Sequence, residues 1–273
     1  MSLQNKIDFA VIFSVNNANP NGDPLNGNRP RLTFDNKGEV SDVALKRKLR
    51  DRLMEAGHAI FVQSNDRKND DATSLRDRAD KALGGKLTSD ELAHKACAQW
   101  LDVRAFGQLF AWKAKKGEKG DGVSVAIRGP VTLESAFSLE SVEVSSIQIT
   151  KSVNSEDGGD KKASDTMGMK HRIDQGIYLF KGSMNPQLAE RTGFSHADAE
   201  LIKQTLPKLF ENDESTARPS GSMEVKKVIW WQHNCKAGQY SSAKVHNSLE
   251  MQSDGSYQLN NLPGLQPEEL EGY

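Results

Sequence analysis

From Lys6 to Val15 apolar residues fall on alternate positions, at Ile7, Phe9, Val11, Phe13 and Val15. Ala10 and Ile12 make the other face apolar as well, which predicts a strand buried on both sides and central in its sheet. The strand runs into Asn16–Pro24, a cluster of Asn, Pro, Gly and Asp suited to a tight loop. The period then becomes helical, with Leu45, Leu49, Leu53 and Ala56 on one face, Ser41 as N-cap and Gly57 as stop. Ala59–Val62 predicts a short strand after that helix.

Residues 64–74 are polar and without period. Two helices are predicted next, over about Leu75–Leu83 and Ser89–Leu101, the second opened by a Thr88/Glu91 capping box. A basic, glycine-rich loop fills 113–122, so 64–122 reads as an insertion emerging from the fold. Val123–Ile127, Val142–Ile149 and Ile177–Phe180 carry strand patterns, and 150–168 is polar between the last two. Ser195 caps a helix using Leu201, Ile202, Leu206 and Leu209, with Pro207 expected to kink it. Val225–Trp231 is the last clear strand, and 252–273 has no pattern and is a candidate for a disordered tail. Without its excursions the order is β-α-β, further strands, then α-β. That predicts an α+β fold of the split βαβ kind, ferredoxin-like or RRM-like.

The composition narrows the function classes. At 273 residues the chain fits one large domain, or one domain with insertions, and 36% hydrophobic content is lean. No apolar run nears the ~20 residues of a membrane helix, and the first eight residues lack a secretory pattern. Two unpaired-looking cysteines, Cys97 and Cys235, make no disulfide framework, so the expected setting is a reducing cytoplasm. A net charge of −1, taken alone, argues against a polyanion binder.

The positions of the cations argue the other way. Lys46, Arg47, Lys48, Arg50 and Arg52 crowd the first helix, and Lys46 and Arg50 share a face. Alone such a cluster reads as a solvated helix face, but here it follows a loop that carries Arg29 and Arg31. Arg104, Arg128, Lys151, Lys170, His171 and Arg172 add cations at strand or insertion edges, in keeping with a surface that contacts a nucleic-acid backbone. Catalytic and cofactor motifs are missing: Gly84-Gly85-Lys86 is not a phosphate loop, and His233/Cys235 have no partner pair for a metal. The loop near Asp23 lacks the carboxylate spacing of a calcium site.

Seven segments in order carry a resemblance. They are Asn17–Pro24, Val40–Lys48, Asp102–Gly107, Ile127–Val131, Ile147–Lys151, Thr166–His171 and Leu188–Phe194. Together, from about residue 6 to 235, they resemble the Cas-seven family, the CRISPR RNA-binding backbone subunit of Cascade, and most closely its type I-C form. The resemblance implies an RRM-like palm, helical fingers over about 64–122 and an extended thumb over about 150–172. It implies a noncatalytic protein without metal or cofactor, whose copies stack along one crRNA into a helical filament. The implied partners are crRNA, target DNA through the crRNA–DNA heteroduplex, other copies of the chain, and the large, small and crRNA-end-capping subunits, with no membrane.

By matching position the resemblance makes Ser41, Lys46 and Arg50 contacts to crRNA phosphates, and places Arg104, Phe106 and Gly107 in the finger motif. Leu109 matches the apolar residue that wedges beside a displaced base, and Met167, Lys170 and His171 belong to the returning thumb strand. Met169 and Asp174-Gln175 depart from the pattern, which has a basic residue and a Pro-aromatic pair there. Two other classes compete. A ferredoxin-like endoribonuclease that trims CRISPR transcripts would need His171 as its base. A general single-stranded RNA binder would need aromatic stacking platforms, and no RNP-type aromatic strand is present.

Overall fold

The computed structural model describes residues 1–84, 87–112, 123–150 and 167–273. In chain order its strands are β1 (Ile7–Ala18), β2 (Gly22–Asp23), β3 (Arg29–Pro30), β4 (Lys37–Val40), β5 (Gly107–Trp112), β6 (Val123–Arg128) and β7 (Val131–Leu133). They continue as β8 (Ala136–Ser141), β9 (Val144–Thr150), β10 (Met167–Met184), β11 (Met223–Gln232), β12 (Leu249–Met251), β13 (Tyr257–Leu259) and β14 (Glu268–Glu271). The helices are α1 (Asp42–Glu55), α2 (Leu75–Leu83), α3 (Ser89–Gln99), α4 (Leu101–Phe106), α5 (Pro186–Thr192), α6 (His196–Thr205) and α7 (Ser242–His246).

The fold is α+β, built on a large antiparallel sheet ordered β14-β11-β1-β10-β8-β4, with β7 and β9 also on β10. β1 runs antiparallel to both β10 and β11, so those two are parallel to each other with β1 between them. Its apolar character on both faces suits that central place. Ile7, Phe9, Val11, Phe13 and Val15 pack with Leu45, Leu49 and Leu53 of α1 and with Ala199 and Ile202 of α6. On the reverse face Ala10, Ile229 and Trp231 are covered by Val245, Leu249, Leu262 and Leu265. β10 is 18 residues long: its outer part pairs only with β9, and its inner part with β1, β8 and β7.

Three sequence expectations are corrected. Ala59–Val62 is not a strand: the Asp102 carboxylate accepts the N–H groups of Phe61 (2.7 Å) and Val62 (3.0 Å), so no ladder is needed. The segment 252–273 is ordered: β13 pairs with β12, β14 pairs with β11, and Leu262 and Leu265 are buried. Met167 and Gly168, in the polar stretch, belong to β10. Other expectations stand. Ser41 and Ser195 cap α1 and α6, Thr88 and Glu91 form the capping box of α3, and Pro207 lies in the 3₁₀ turn that ends α6. Among the described residues no helix is long and apolar enough to cross a membrane.

The reverse face of β1 holds a buried ionic group. The Asp8 carboxylate, with no exposure, receives His233 Nε2 (2.9 Å) and Lys6 Nζ (3.1 Å). His233 Nδ1 accepts from the Gln239 N–H at 2.9 Å, which puts the ring hydrogen on Nε2 and makes this a neutral histidine. Burial pushes the Asp8 carboxyl up, but hydrogen bonds from His233, Ser242 and Lys6 hold it below its ordinary 3.8. Burial likewise lowers the nearby His246 from its ordinary 6.5, against the pull of Asp8. Each group therefore binds more protons when unfolded than when folded, so each stabilises less as pH falls. His246 loses its contribution as pH falls from 6.5, and Asp8 as pH falls below 3.8. Thermal unfolding across pH 7 to 3 will show both steps: His246→Gln removes the upper one, and Asp8→Asn shrinks the lower one, to which Asp198 also contributes, while lowering stability at pH 7.

Candidate nucleic-acid interface

The cations of α1 are occupied within the chain. Lys46 meets Asp42 at 2.8 Å, and Arg47 meets Asp51 at 2.9 Å and Ser64 Oγ at 2.6 Å. Lys48 is buried against Asp213, and burial brings its amine down to about 8 although that carboxylate favours its charge. Arg52 reaches Glu55, and Arg50 Nε donates to Asp102 at 3.0 Å while its guanidinium lies 5.0 Å from the Phe106 ring centroid. The helix is thus wrapped by acids instead of presenting an open basic face. Lys46 and Arg47 keep 23% and 42% side-chain exposure, whereas Arg50 keeps only 12%. Ser41 Oγ caps the helix at the Ala44 N–H, and its own N–H donates to Asn21 Oδ1.

The insertion packs a second core of Phe61, Leu92, Ala96, Trp100, Phe110 and Val125. Asp102 lies where this core meets the first, bound by Phe61, Val62 and Arg50. Arg104, two residues on, grips Asp198 at 2.8 and 3.2 Å and so ties α4 to the capping box of α6. Burial raises the Asp198 carboxyl, but Arg104 and Ser195 outweigh it and hold it low. Gly107 then turns the chain with φ +79°, and a Cβ there would lie 2.3 Å from the Ile127 carbonyl oxygen. Across from it Gly129 is equally tight, 2.4 Å from the Ala105 carbonyl oxygen, so only glycine fits this backbone crossing.

Beyond the crossing, β5 and β6 form a hairpin with two unlike faces. Phe110 and Val125 point into the second core, while Leu109, Ala111, Ser124, Ala126 and Arg128 are exposed on the other face. Leu109, opposite Ala126, is 58% exposed. Arg128, opposite Gly107, has no ion-pair partner among the described residues. The structure thus brings Gly107, Leu109 and Arg128 onto one small-residue surface and commits Arg104 and Phe106 to the framework.

The hairpin β9–β10 forms the second protrusion. In its register Ser146 faces His171, Gln148 faces Met169, and Thr150 faces Met167. Ile147 and Ile149 lie on the other face with Lys170, and all four apolar residues, Ile147, Ile149, Met167 and Met169, are exposed. Arg29 reaches from β3 to the root of this hairpin, with Nη1 2.9 Å from Ser146 Oγ; the same oxygen lies 2.9 Å from His171 Nδ1. Arg31 stays by its own loop, 3.7 Å from Asp23. Lys151 lies outside the described residues. Ser146 was not among the sequence candidates, because a serine in a polar strand gives no signal. His233 is tied to Asp8, and among the described residues no group of three or more His, Cys, Asp or Glu could hold a metal.

Comparison with known proteins adds a family. The model of the family described as CRISPR-associated protein Cas7 matches residues 5–263. The chain belongs to the Cas7 family. It is 28% identical over 278 positions to the CRISPR-associated protein Cas7 of Haloferax volcanii, covering 96% of this chain and 80% of that protein. A chain of a solved CRISPR RNA-guided surveillance complex in a pre-nicking state aligns with a TM-score of 0.48, 13% identity and coverage of 83% and 78% of the two chains. A chain of a second CRISPR RNA-guided surveillance complex gives 0.47, 16%, 83% and 68%.

Within this Cas7-family chain the first-helix cations differ in what they hold up. Arg50→Ala will strip the buried Asp102 carboxylate of the one cation it has among the described residues and cost about 3 kcal/mol in urea unfolding. Lys46→Ala, which loses one exposed i,i+4 pair, will cost about 0.5 kcal/mol or less.

Proposed function

We propose that the chain is the noncatalytic, crRNA-binding backbone subunit of a CRISPR surveillance complex of type I, in its I-C form. In this reading the sheet with α1 and α6 is an RRM-type palm, the insertion with β5–β6 is the fingers, and β9–β10 is the thumb. Several copies sit along one guide and leave its bases free to pair with target DNA, alongside large, small and end-capping subunits. The observation that carries the reading is the Cas7 family match across residues 5–263.

Physical features agree with it. A protein that leaves sequence readout to base pairing needs donors for phosphates and small or apolar surfaces for bases, not base-reading side chains. The exposed face of β5–β6 offers Leu109 among small residues with Arg128 at its base, and β9–β10 offers exposed methionines and isoleucines above Arg29 and His171. Identical copies meeting head to tail make heterologous contacts, which extend into an open helix.

Co-expression with a CRISPR array and the partner subunits tests the whole reading: the purified complex will contain RNA of one array-derived length. For the isolated chain, Lys46→Glu combined with Arg128→Glu will weaken single-stranded RNA binding at least about tenfold and flatten its salt dependence, with melting lowered by only a few degrees, about what losing one exposed pair costs. Undiminished binding, or specific cleavage of repeat RNA that His171→Ala abolishes, would replace this reading.

A further inference from the structure

We propose that Arg29, Ser146 and His171 form one phosphodiester-binding site at the root of the β9–β10 hairpin, with Ser146 as its positioning residue. The proposal rests on the RNA-binding reading above and adds which group is bound there and how the donors are aimed. Arg29 comes from β3, Ser146 from β9 and His171 from β10, and one hydroxyl oxygen stands 2.9 Å from both Arg29 Nη1 and His171 Nδ1.

The hydrogen bonds set the direction of each group. A guanidinium only donates, so Ser146 Oγ accepts from Arg29. In the arrangement proposed, that hydroxyl gives its hydrogen to His171 Nδ1, which leaves the ring hydrogen on Nε2. What remains unfilled is the rest of the Arg29 fork and the His171 Nε2–H, both donors. Neither has a carboxylate partner among the described residues, in contrast to the paired cations of α1. Asp174, the next acid along β10, is taken by Ser145 Oγ (2.7 Å) and Arg172 (3.4 Å). Arg172 and Ser145 are paired in the register, one step from His171 and Ser146, and so lie on the opposite face of the hairpin.

A site that presents donors and no acceptor recognises an anion with several acceptor oxygens. A base edge, which mixes donors and acceptors, fits it poorly, and a phosphodiester fits it well. Because the donors come from the β3 loop and from both strands of the hairpin, binding would also fix the hairpin's angle to the palm.

The test is anisotropy of the full chain with a labelled single-stranded RNA of mixed sequence and with an abasic strand of equal length, over a salt series. Ser146→Ala and His171→Ala will each weaken binding to both probes about tenfold. The double variant will be little weaker than either single one, because each breaks the same relay. Ser146→Thr, which keeps the hydroxyl, will bind like the wild type, and Arg29→Gln will lower the salt slope by about 0.7. Melting curves check folding, and Arg29→Lys, which keeps the charge but not the fork, gives a second arm should Arg29→Gln unfold. Additive losses, a Ser146→Thr variant as weak as Ser146→Ala, or a loss seen on RNA but not on the abasic strand would overturn the site. If the wild type binds RNA and the variants bind equally well, this site alone falls. If the wild type binds neither probe, the proposed function falls and takes the site with it.

Discussion

The structure hangs on one buried carboxylate. Asp102, 1% exposed, takes the N–H groups of Phe61 and Val62 and the Nε of Arg50. Ile60 packs in the core under the sheet and Phe61 in the core of the insertion, so the chain passes from one to the other between adjacent residues. The same passage recurs in α4, where Leu101 and Ala105 face the first core and Val103 the second. Asp102 stands at both crossings. A carboxylate there is tolerable only if nearly every lone pair is used, and its donors come from Arg50 within α1 and from the segment after that helix. The charge thus locks the angle at which the insertion leaves the sheet. Arg104, bonded to Asp198, adds a second tie from α4 to α6, and the Gly107–Gly129 crossing starts the hairpin from this fixed base.

The same accounting explains a near-neutral protein with local cationic surfaces. Asp213, Asp102 and Asp198 are matched to Lys48, Arg50 and Arg104, so those cations hold elements together, while Asp42 and Asp51 pair with Lys46 and Arg47 inside α1. Arg29, which reaches Ser146 on β9, and Arg128, on β6, have no carboxylate partner among the described residues. Net charge averages these two populations. On the proposed reading the second one meets phosphates, and a count of basic residues could not have separated it from the first.

What could be read from the sequence follows the range of each interaction. β1 was legible because its apolar pattern covers both faces, and the helix caps because Ser41, Thr88 and Ser195 bond within three residues. Ala59–Val62 misled because four apolar residues look like a strand, whereas their backbone partner sits some forty positions away in Asp102. The C-terminal segment looked patternless because β14 is a sheet-edge strand rich in glutamates. Its order comes from pairing with β11 and from Lys203, Lys227 and Tyr257 reaching its carboxylates. Among the first-helix cations, Lys46–Asp42, Arg47–Asp51 and Arg52–Glu55 lie at readable i,i+4 or i,i+3 spacing. Arg50–Asp102, Lys48–Asp213 and Arg29–Ser146 span 52, 165 and 117 residues, beyond any local pattern.

Exposed apolar side chains on these hairpins need a physical reason, since each leaves apolar surface in water. On β9–β10 the order along the strands supplies one. Farther from the sheet lie Ile149, Met167 and Met169; nearer to it lie Lys170, His171 and Arg172, with Ile147 opposite Lys170, and at the root Arg29 joins them. The hairpin therefore grades from apolar to donor-rich over a few residues, the same order in which a nucleotide grades from base to phosphate. Methionine suits the outer positions, because its flexible thioether packs on flat rings of any identity without reading them. On the proposed reading, a protrusion graded this way lies across a single strand, bases outward and phosphate at the root. That is the arrangement in which a protein can hold a guide firmly and leave its sequence free to be read by another strand.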